Sequence, residues 1–330
     1  MSQVQSHSPA PTVAVDSAGL VSIVIPTYRR RHYLEVALAS ALAQTYRNLE
    51  VIISEDGGLD YSQTVADCTR DARVRVRWNE KNLGIAGNTI AVMREARGQF
   101  IVNLSDDDLL CPDFVTRLID PLIQDPSIVL AFCDHFMIDA KGNTLTDATE
   151  ANTRRWGRAV LAPGRHEEWL RLAVVDPAVP MAMGAVFRAN AVELEHFPLQ
   201  AGSFWDSYLT YLLCKSGGAM WYEPTRLSQY RVHASQETAT GRMRFSQAGL
   251  YCYEKFMGDP DLAAYRPQFR RRWIESATNL GIALLIAGSR SEARRQFMQA
   301  LRRWPNFRST AGLILTLAPS SLSKRLIGGT

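Results

Sequence analysis

From Leu20 to about Asp139 the chain alternates two hydrophobic patterns. Val21–Ile25, Leu49–Ser54, Val74–Trp78, Phe100–Leu104 and Ile128–Cys133 are near-continuous apolar runs. Such runs are typical of strands buried on both faces. Between them apolar residues return at helical spacing: Leu34, Leu38, Ala41 and Leu42, then the stretches 62–69, Ala86–Ala96 and Asp113–Ile123. Strand and helix alternating over about 110 residues predicts βαβ units, an α/β fold with a mainly parallel central sheet. In such sheets ligands bind outside the carboxyl ends of the strands. Pro26-Thr27-Tyr28, Glu55-Asp56-Gly57, Asn79–Gly84 and Asp106-Asp107-Asp108 all fall at those ends.

Beyond Asp139 the pattern is irregular. Lys141–Thr144 reads as a turn and the polar stretch Asp147–Arg165 as a mobile loop. Gly184–Phe187 reads as a strand, Trp205–Lys215 as a helix and Ala219–Tyr222 as a short strand. Leu280, Gly281, Leu284, Gly288, Ala293, Phe297, Ala300 and Pro305 have the spacing of one tetratricopeptide-type helix pair, about 274–307. A lone pair cannot bury its own face, so it should pack on the main domain or on a partner. The expected organisation is a disordered leader (1–19), a main domain (20–240, halves 20–139 and 140–240) and a helical extension (241–330). The extension ends in a basic amphipathic tail, with a packed terminal helix and an interfacial membrane helix as its two readings.

Composition narrows the setting. Lys and Arg number 37 against 33 acids, a balance that does not call for a nucleic-acid partner. The arginine pairs and triplets, Arg270–Arg272, Arg294-Arg295 and Arg302-Arg303, sit late in the chain. They suit solvated helix faces, an acidic surface or an anionic membrane. Five widely spaced cysteines without a Cys-x-x-Cys pair fit free thiols in a reducing cytosol. No stretch approaches the roughly 20 apolar residues of a membrane span. A cytoplasmic location follows as the expectation, with the inner face of the membrane open as a peripheral site.

Three adjacent carboxylates at a strand end repel one another unless a cation joins them. Hard ions such as Mg²⁺ or Mn²⁺ take carboxylate oxygens and substrate phosphates together. The alternative is an acidic turn leading into the helix announced by Pro112 and Asp113. A P-loop is excluded, since Gly-x-x-x-x-Gly-Lys-Ser/Thr does not occur.

Val21–Tyr28, Ala43-Gln-Thr-Tyr46, Asn82-Leu-Gly84 and Ser105–Asp108 with Pro112, in this order, resemble the family 2 glycosyltransferases. The resemblance covers about Leu20–Ala234. It implies the GT-A fold and inverting transfer of a sugar from a nucleotide-sugar donor, UDP- or dTDP-linked, with Mn²⁺ or Mg²⁺ as cofactor. It further implies that Pro26, Thr27 and Tyr28 line the nucleoside pocket and that Asp56 accepts a hydrogen bond from the base. Asn82, Gly84 and Asn88 match the loop approaching base and sugar. Asp106 falls at the ribose contact and Asp107 at the principal metal ligand, with Asp108 supporting it. The acceptor would be a hydroxyl of a glycan or lipid-linked intermediate in bacterial surface polysaccharide assembly.

Asp206, opening a helix after Phe204-Trp205, matches the family's catalytic carboxylate; its other reading is a charge that favours a helix N-terminus. Trp205 suits either a sugar face or the core, and Met181–Gly184 either the acceptor side or the core. Arg231 and His233 match a Tyr-Arg-x-His segment. The imidazole could complete a metal shell, or either residue could touch the diphosphate. Two rival functions are a nucleotidyltransferase on a related sheet and a non-catalytic scaffold using the helical end. The first would favour a glycine-rich basic loop after the first strand, where Arg29-Arg30-Arg31 has no glycine. The second has no need of the acidic run or Asp206.

Overall fold

The computed structural model describes residues 19–57, 70–234, 236 and 241–318. The leader to residue 18, the expected helix at 62–69, Cys68 and the tail from 319 lie outside the described residues.

The alternating pattern folds into a three-layer α/β structure. Strands β1 (Val21–Thr27), β2 (Leu49–Asp56), β3 (Val74–Asn79) and β4 (Phe100–Asn103) are joined by helices α1 (Arg31–Leu42) and α2 (Gly84–Arg94). Then come β5 (Leu109–Leu110), α3 (Phe114–Gln124), β6 (Ile128–Ile138), α4 (Thr146–Arg155), β7 (Gly164–His166) and β8 (Ala185–Arg188). Helix α5 (Trp205–Lys215) and β9 (Ala219–Arg231) complete the main domain. The described strands form one sheet in the order β3-β2-β1-β4-β8-β6-β9-β5, with β7 also on β9. The pairs β3–β2, β2–β1, β1–β4 and β6–β9 are parallel, while β8, β5 and β7 run against their neighbours. The sheet is therefore mainly parallel, as the apolar runs predict.

Alternate strand residues feed two cores. Ile23, Ile25, Val51, Ile53 and Val102 pack under α1 and α3, while Val24, Ile52, Ile101, Leu130 and Phe132 face α2 and α5. Burial on both sides explains why these strands lack the polar alternation of a one-sided sheet.

Two expectations needed revision. Residues 147–165 are not a loop: they contain α4, a 3₁₀ turn (Arg158–Val160) and β7. Helix α4 was illegible because the residues it buries are Thr149 and Thr153, not an apolar stripe. Second, β9 runs 13 residues instead of four, through Pro224, where β6–β9 pairing shifts register near Cys133–His135. A bulge tolerates the missing N–H of proline. Of the two readings of Trp205, the core is the one the structure has: the residue is 3% exposed.

The C-terminal helices α6 (Arg242–Gly258), α7 (Arg266–Ile286), α8 (Arg290–Arg303) and α9 (Phe307–Leu315) follow. Cys252 and Phe256 of α6 and Phe269 of α7 enter the main core. The α7–α8 pair thus packs on the main domain through α6, and at its own centre Gly281 meets the Phe297 ring, 2.7 Å from where a Cβ would stand.

Candidate active site

Four chain segments meet at the carboxyl edge of the sheet. The Ala43–Tyr46 motif sets the position of the acidic run. Gln44 is fully buried; its Nε2 donates to the Cys111 carbonyl at 2.8 Å and its Oε1 accepts from Val115 N at 3.0 Å. Thr45 N donates to the Pro112 carbonyl at 2.9 Å. The end of α1 is thereby stapled to the start of α3, directly after the three aspartates.

The run itself is held from both sides. Thr27 Oγ1 donates to Asp106 Oδ2 at 2.7 Å. The Leu109–Gln229 and Leu110–Ser228 pairing of β5 with β9 brings Arg231 and His233 back to it. Arg231 N donates to Asp108 Oδ1 at 2.8 Å, and its Nε donates to the Asp107 carbonyl at 2.8 Å. The rest of that guanidinium points at the carbonyls of Asp139 and Ala140 (3.2 and 3.3 Å) and lies 5.3 Å from the Tyr33 ring. His233 Nε2 stands 3.0 Å from Asp107 Oδ2, its ring 4.8 Å from Tyr33.

One participant escaped the sequence reading. Arg30 Nη1 bridges Asp106 Oδ1 at 3.2 Å and Asp107 Oδ2 at 2.8 Å. It follows Arg29, whose φ of +56° is left-handed, a conformation costly for a residue with a Cβ. The available signal was a basic residue one step beyond β1, but three consecutive arginines conceal which of them turns inward.

Negative charge exceeds positive here. Burial first, then the neighbouring Asp107 charge, pushes Asp106 up to about 6; Thr27 and Arg30 pull the other way. The same two causes hold Asp108 well above the ordinary carboxylate range. Asp108 Oδ2 is buried and accepts no hydrogen bond from the described residues. Oxygen and imidazole donors in a site of surplus charge fit a hard divalent cation. Among the described residues no three His, Cys, Asp or Glu side chains form a ready cage. Asp107 and His233 come together, while Asp108 turns one oxygen to the Arg231 backbone. Such a pair suits an ion that completes its shell with water and phosphate oxygens.

The second rim cluster is already internally satisfied. Asp56 Oδ1 accepts from Leu83 N at 2.7 Å and Asn79 Nδ2 at 3.0 Å, and Oδ2 accepts from Gly84 N at 2.9 Å. Its charge thus serves the open N–H groups at the start of α2. A Cβ on Gly57 (φ +73°) would lie 2.6 Å from Asn82 N, so glycine permits this closeness. Asn88 is buried: its Oδ1 accepts from Ser54 Oγ and Asn79 Nδ2, and its Nδ2 donates to the Ser54 and Thr27 carbonyls. Asn88 therefore ties the ends of β1, β2 and β3 together. Asn82 Oδ1 accepts from Gly84 N at 3.0 Å. Pro26 is half-buried and Tyr28 is 41% exposed, its ring 5.0 Å from the Arg29 guanidinium.

Asp206 opens α5. Since β9 begins at Ala219 beside Ile128, the first residue of β6, α5 runs from the carboxyl toward the amino edge. Asp206 Oδ1 accepts from Ser207 N at 2.7 Å, and burial raises its pKa. Ala182 borders the acidic run: its carbonyl accepts from Asn103 Nδ2 at 2.9 Å and from Ser105 N at 3.2 Å. Met181 is fully buried and Met183 nearly so.

Residues 22–175 match the sequence model of glycosyl transferase family 2. Over these residues, just under half of its length, the chain is similar to the family 2 glycosyltransferases. The chain is 34% identical over 128 residues to an uncharacterized glycosyltransferase of Rickettsia typhi, covering 38% of this chain and 39% of that one. It is 35% identical over 129 residues to the chondroitin synthase of Escherichia coli, covering 39% and 19%. The matched part is thus about two fifths of the first relative and one fifth of the second. The fold resembles S. aureus TarS 1-349 in complex with UDP-GlcNAc (TM-score 0.60, 12% identity, 94% and 92% of the two chains). It also resembles the Pyrobaculum calidifontis mannosyltransferase PcManGT in complex with GDP-Man and Mn²⁺ (TM-score 0.57, 17% identity, 93% and 84%). The chain therefore has the GT-A fold, with helices α6–α9 following it toward the C-terminus.

Proposed function

We propose that this protein transfers a sugar, with inversion, from a nucleoside diphosphate sugar to a hydroxyl of a glycan or lipid-linked acceptor in surface polysaccharide assembly. The carrying observation is the surplus of buried negative charge at Asp106–Asp108, where Arg30 and His233 converge on one oxygen of Asp107. A scaffold gives that surplus no task, and a nucleotidyltransferase would favour a glycine-rich basic loop after β1, where Arg29-Arg30-Arg31 has no glycine.

Asp107 and His233 would hold Mn²⁺ or Mg²⁺, with Asp108 behind them and Asp106 directed to the ribose. Bound there, the cation supplies charge neutralisation for the departing diphosphate. Pro26, Thr27 and Tyr28 form the nucleoside wall. Asp56, Asn82, Gly84 and Asn88 shape the loop that faces the base, and Arg231 steadies the strand carrying His233. Asp206 accepts the acceptor hydroxyl proton as the new C1–O bond forms and the bond from C1 to the diphosphate breaks. Burial raises its pKa and so makes it a stronger base than an ordinary aspartate. UDP and dTDP are the favoured donor nucleotides; a UDP-sugar is present in the TarS complex, and the mannosyltransferase holds GDP-Man with Mn²⁺.

A cytoplasmic setting agrees with the four described cysteines being free. Among the described residues, no helix is long and apolar enough to cross a membrane.

The test is release of nucleoside diphosphate from a panel of UDP-, dTDP- and GDP-sugars, with Mn²⁺ and with EDTA. Turnover of one donor that EDTA abolishes is expected. Failure to bind any donor, or turnover indifferent to EDTA, would contradict the proposal.

A further inference from the structure

The last described helix leaves large apolar residues on its solvent side. α9 turns Ser309, Gly312 and Thr316 toward the protein, where Ser309 Oγ meets Thr278 Oγ1 at 2.7 Å and a Cβ on Gly312 would stand 2.4 Å from the Phe297 ring. Its opposite side carries Phe307 and Ile314, exposed at 85% and 62%, and Leu317 just beyond the helix is 71% exposed. Trp304, 64% exposed, stands just before the helix. A helix on a soluble protein normally buries its large apolar residues and presents polar ones. Here Leu313 and Leu315 pack partly buried on the helical core beside the small residues, while Phe307 and Ile314 are left outside.

The surrounding charge is one-sided. Residues 266–330 hold 12 of the 37 Lys and Arg residues but only 2 of the 33 Asp and Glu, leaving the rest of the chain net acidic. Arg294, Arg295, Arg302 and Arg308 are all exposed on α8 and α9. Protruding aromatic and aliphatic side chains bordered by arginine call for a surface that is anionic outside and apolar beneath.

We propose that α8 and α9 seat the protein on an anionic lipid bilayer. Phe307, Ile314 and Leu317 enter the boundary between headgroups and acyl chains, Trp304 lies at headgroup level, and the arginines meet lipid phosphates. Apolar insertion and charge act together, as stable peripheral attachment requires. The seat is independent of the transfer chemistry at Asp107 and Asp206. An acidic protein surface, including the acid-rich remainder of a second copy, is the rival occupant.

The test is co-sedimentation of the full chain with vesicles of phosphatidylcholine, with and without one third phosphatidylglycerol. Two double variants are compared: Phe307→Ser with Ile314→Ser, and Arg302→Glu with Arg308→Glu. Binding to the anionic vesicles is expected. It should fall at least about tenfold without phosphatidylglycerol, in about 0.5 M salt, and in each double variant, with melting unchanged because all four side chains are exposed. Absence of binding by the wild type, or binding equal in wild type and both variants, would overturn the proposal. So would a lipid-free dimer, seen by light scattering, that the Phe307/Ile314 variant dissolves.

Discussion

Two buried aspartate–arginine clusters lie in the same sheet, and they are opposites. In the first, Asp134 on β6 is matched group for group. Arg158 Nε donates to its Oδ1 at 2.8 Å, Thr153 Oγ1 donates to its Oδ2 at 2.5 Å, and Arg226 stands 3.5 Å away. Burial alone would raise the Asp134 pKa, but Thr153 and Arg158 outweigh it and hold the carboxyl below its ordinary range. In the second, Asp106 and Asp107 share Arg30, Asp108 accepts from the Arg231 N–H, and the Arg231 guanidinium is turned to backbone carbonyls. There burial and mutual repulsion prevail, and Asp106 and Asp108 are pushed up. A matched cluster locks one conformation, whereas an unmatched one is poised to receive charge from outside.

Exchanging the roles of the two clusters by mutation should give the largest effects. Arg158→Ala leaves Asp134 buried without its main partner and should lower stability by about 3–5 kcal/mol, read by urea unfolding. Asp107→Asn should change stability by less than about 1 kcal/mol, since it relieves repulsion, yet cut sugar transfer by about 10²-fold or more. A large stability loss in Asp107→Asn would erase the distinction.

Asp206→Asn should reduce kcat by about 10²–10⁴-fold with the fold intact. In the wild type, kcat/KM should fall as acid protonates Asp206, and this limb should lie above the ordinary aspartate value because burial raises the pKa. A variant retaining wild-type kcat would reduce Asp206 to a favourable charge at a helix start.

The matched cluster should also show in the pH dependence of stability. Burial first, and then Arg158, lower the pKa of His135 to about 4. The unfolded chain takes up this proton near pH 6.5 and the folded chain does not, so stability is present above about 6.5 and falls toward pH 4. The slope is at most about 1.4 kcal/mol per pH unit. His135→Asn should flatten it, as measured by melting at pH 7, 6 and 5. Equal slopes would remove His135 from the account.

The smallest effect concerns Arg30. With Arg30→Ala, Mn²⁺ alone should bind about threefold to tenfold more tightly by calorimetry, because a competing cation leaves Asp107. Unchanged affinity would mean that the guanidinium moves aside without cost.

Much of this was readable in the chain, and the failures are instructive. The strands carrying the rim were legible because burial on both faces leaves unbroken apolar runs, as in Val21–Ile25. Helix α5 was found at Trp205–Lys215, with the bounds the structure has. Asp106–Asp108 stood out as repulsion in need of an explanation. Helix α4 was missed because its buried side is threonine and serves Asp134 through hydrogen bonds. Arg30 was missed because its inward turn depends on the left-handed backbone at Arg29, which no residue type announces. Asp56 was legible as a rim residue, but its bonds to Leu83 N and Gly84 N depend on how two distant loops meet. Periodicity reports burial; it does not report which partner satisfies a polar group.

The most direct measurement is a titration of Mn²⁺ followed by electron paramagnetic resonance, with UDP or another donor nucleotide present, on wild type and Asp107→Asn. The account predicts that nucleotide tightens Mn²⁺ binding to the wild type and that Asp107→Asn abolishes the gain. Equal Mn²⁺ binding in the two proteins, or nucleotide binding that ignores the metal, would contradict the claim that the unmatched cluster is a cation-bridged diphosphate site.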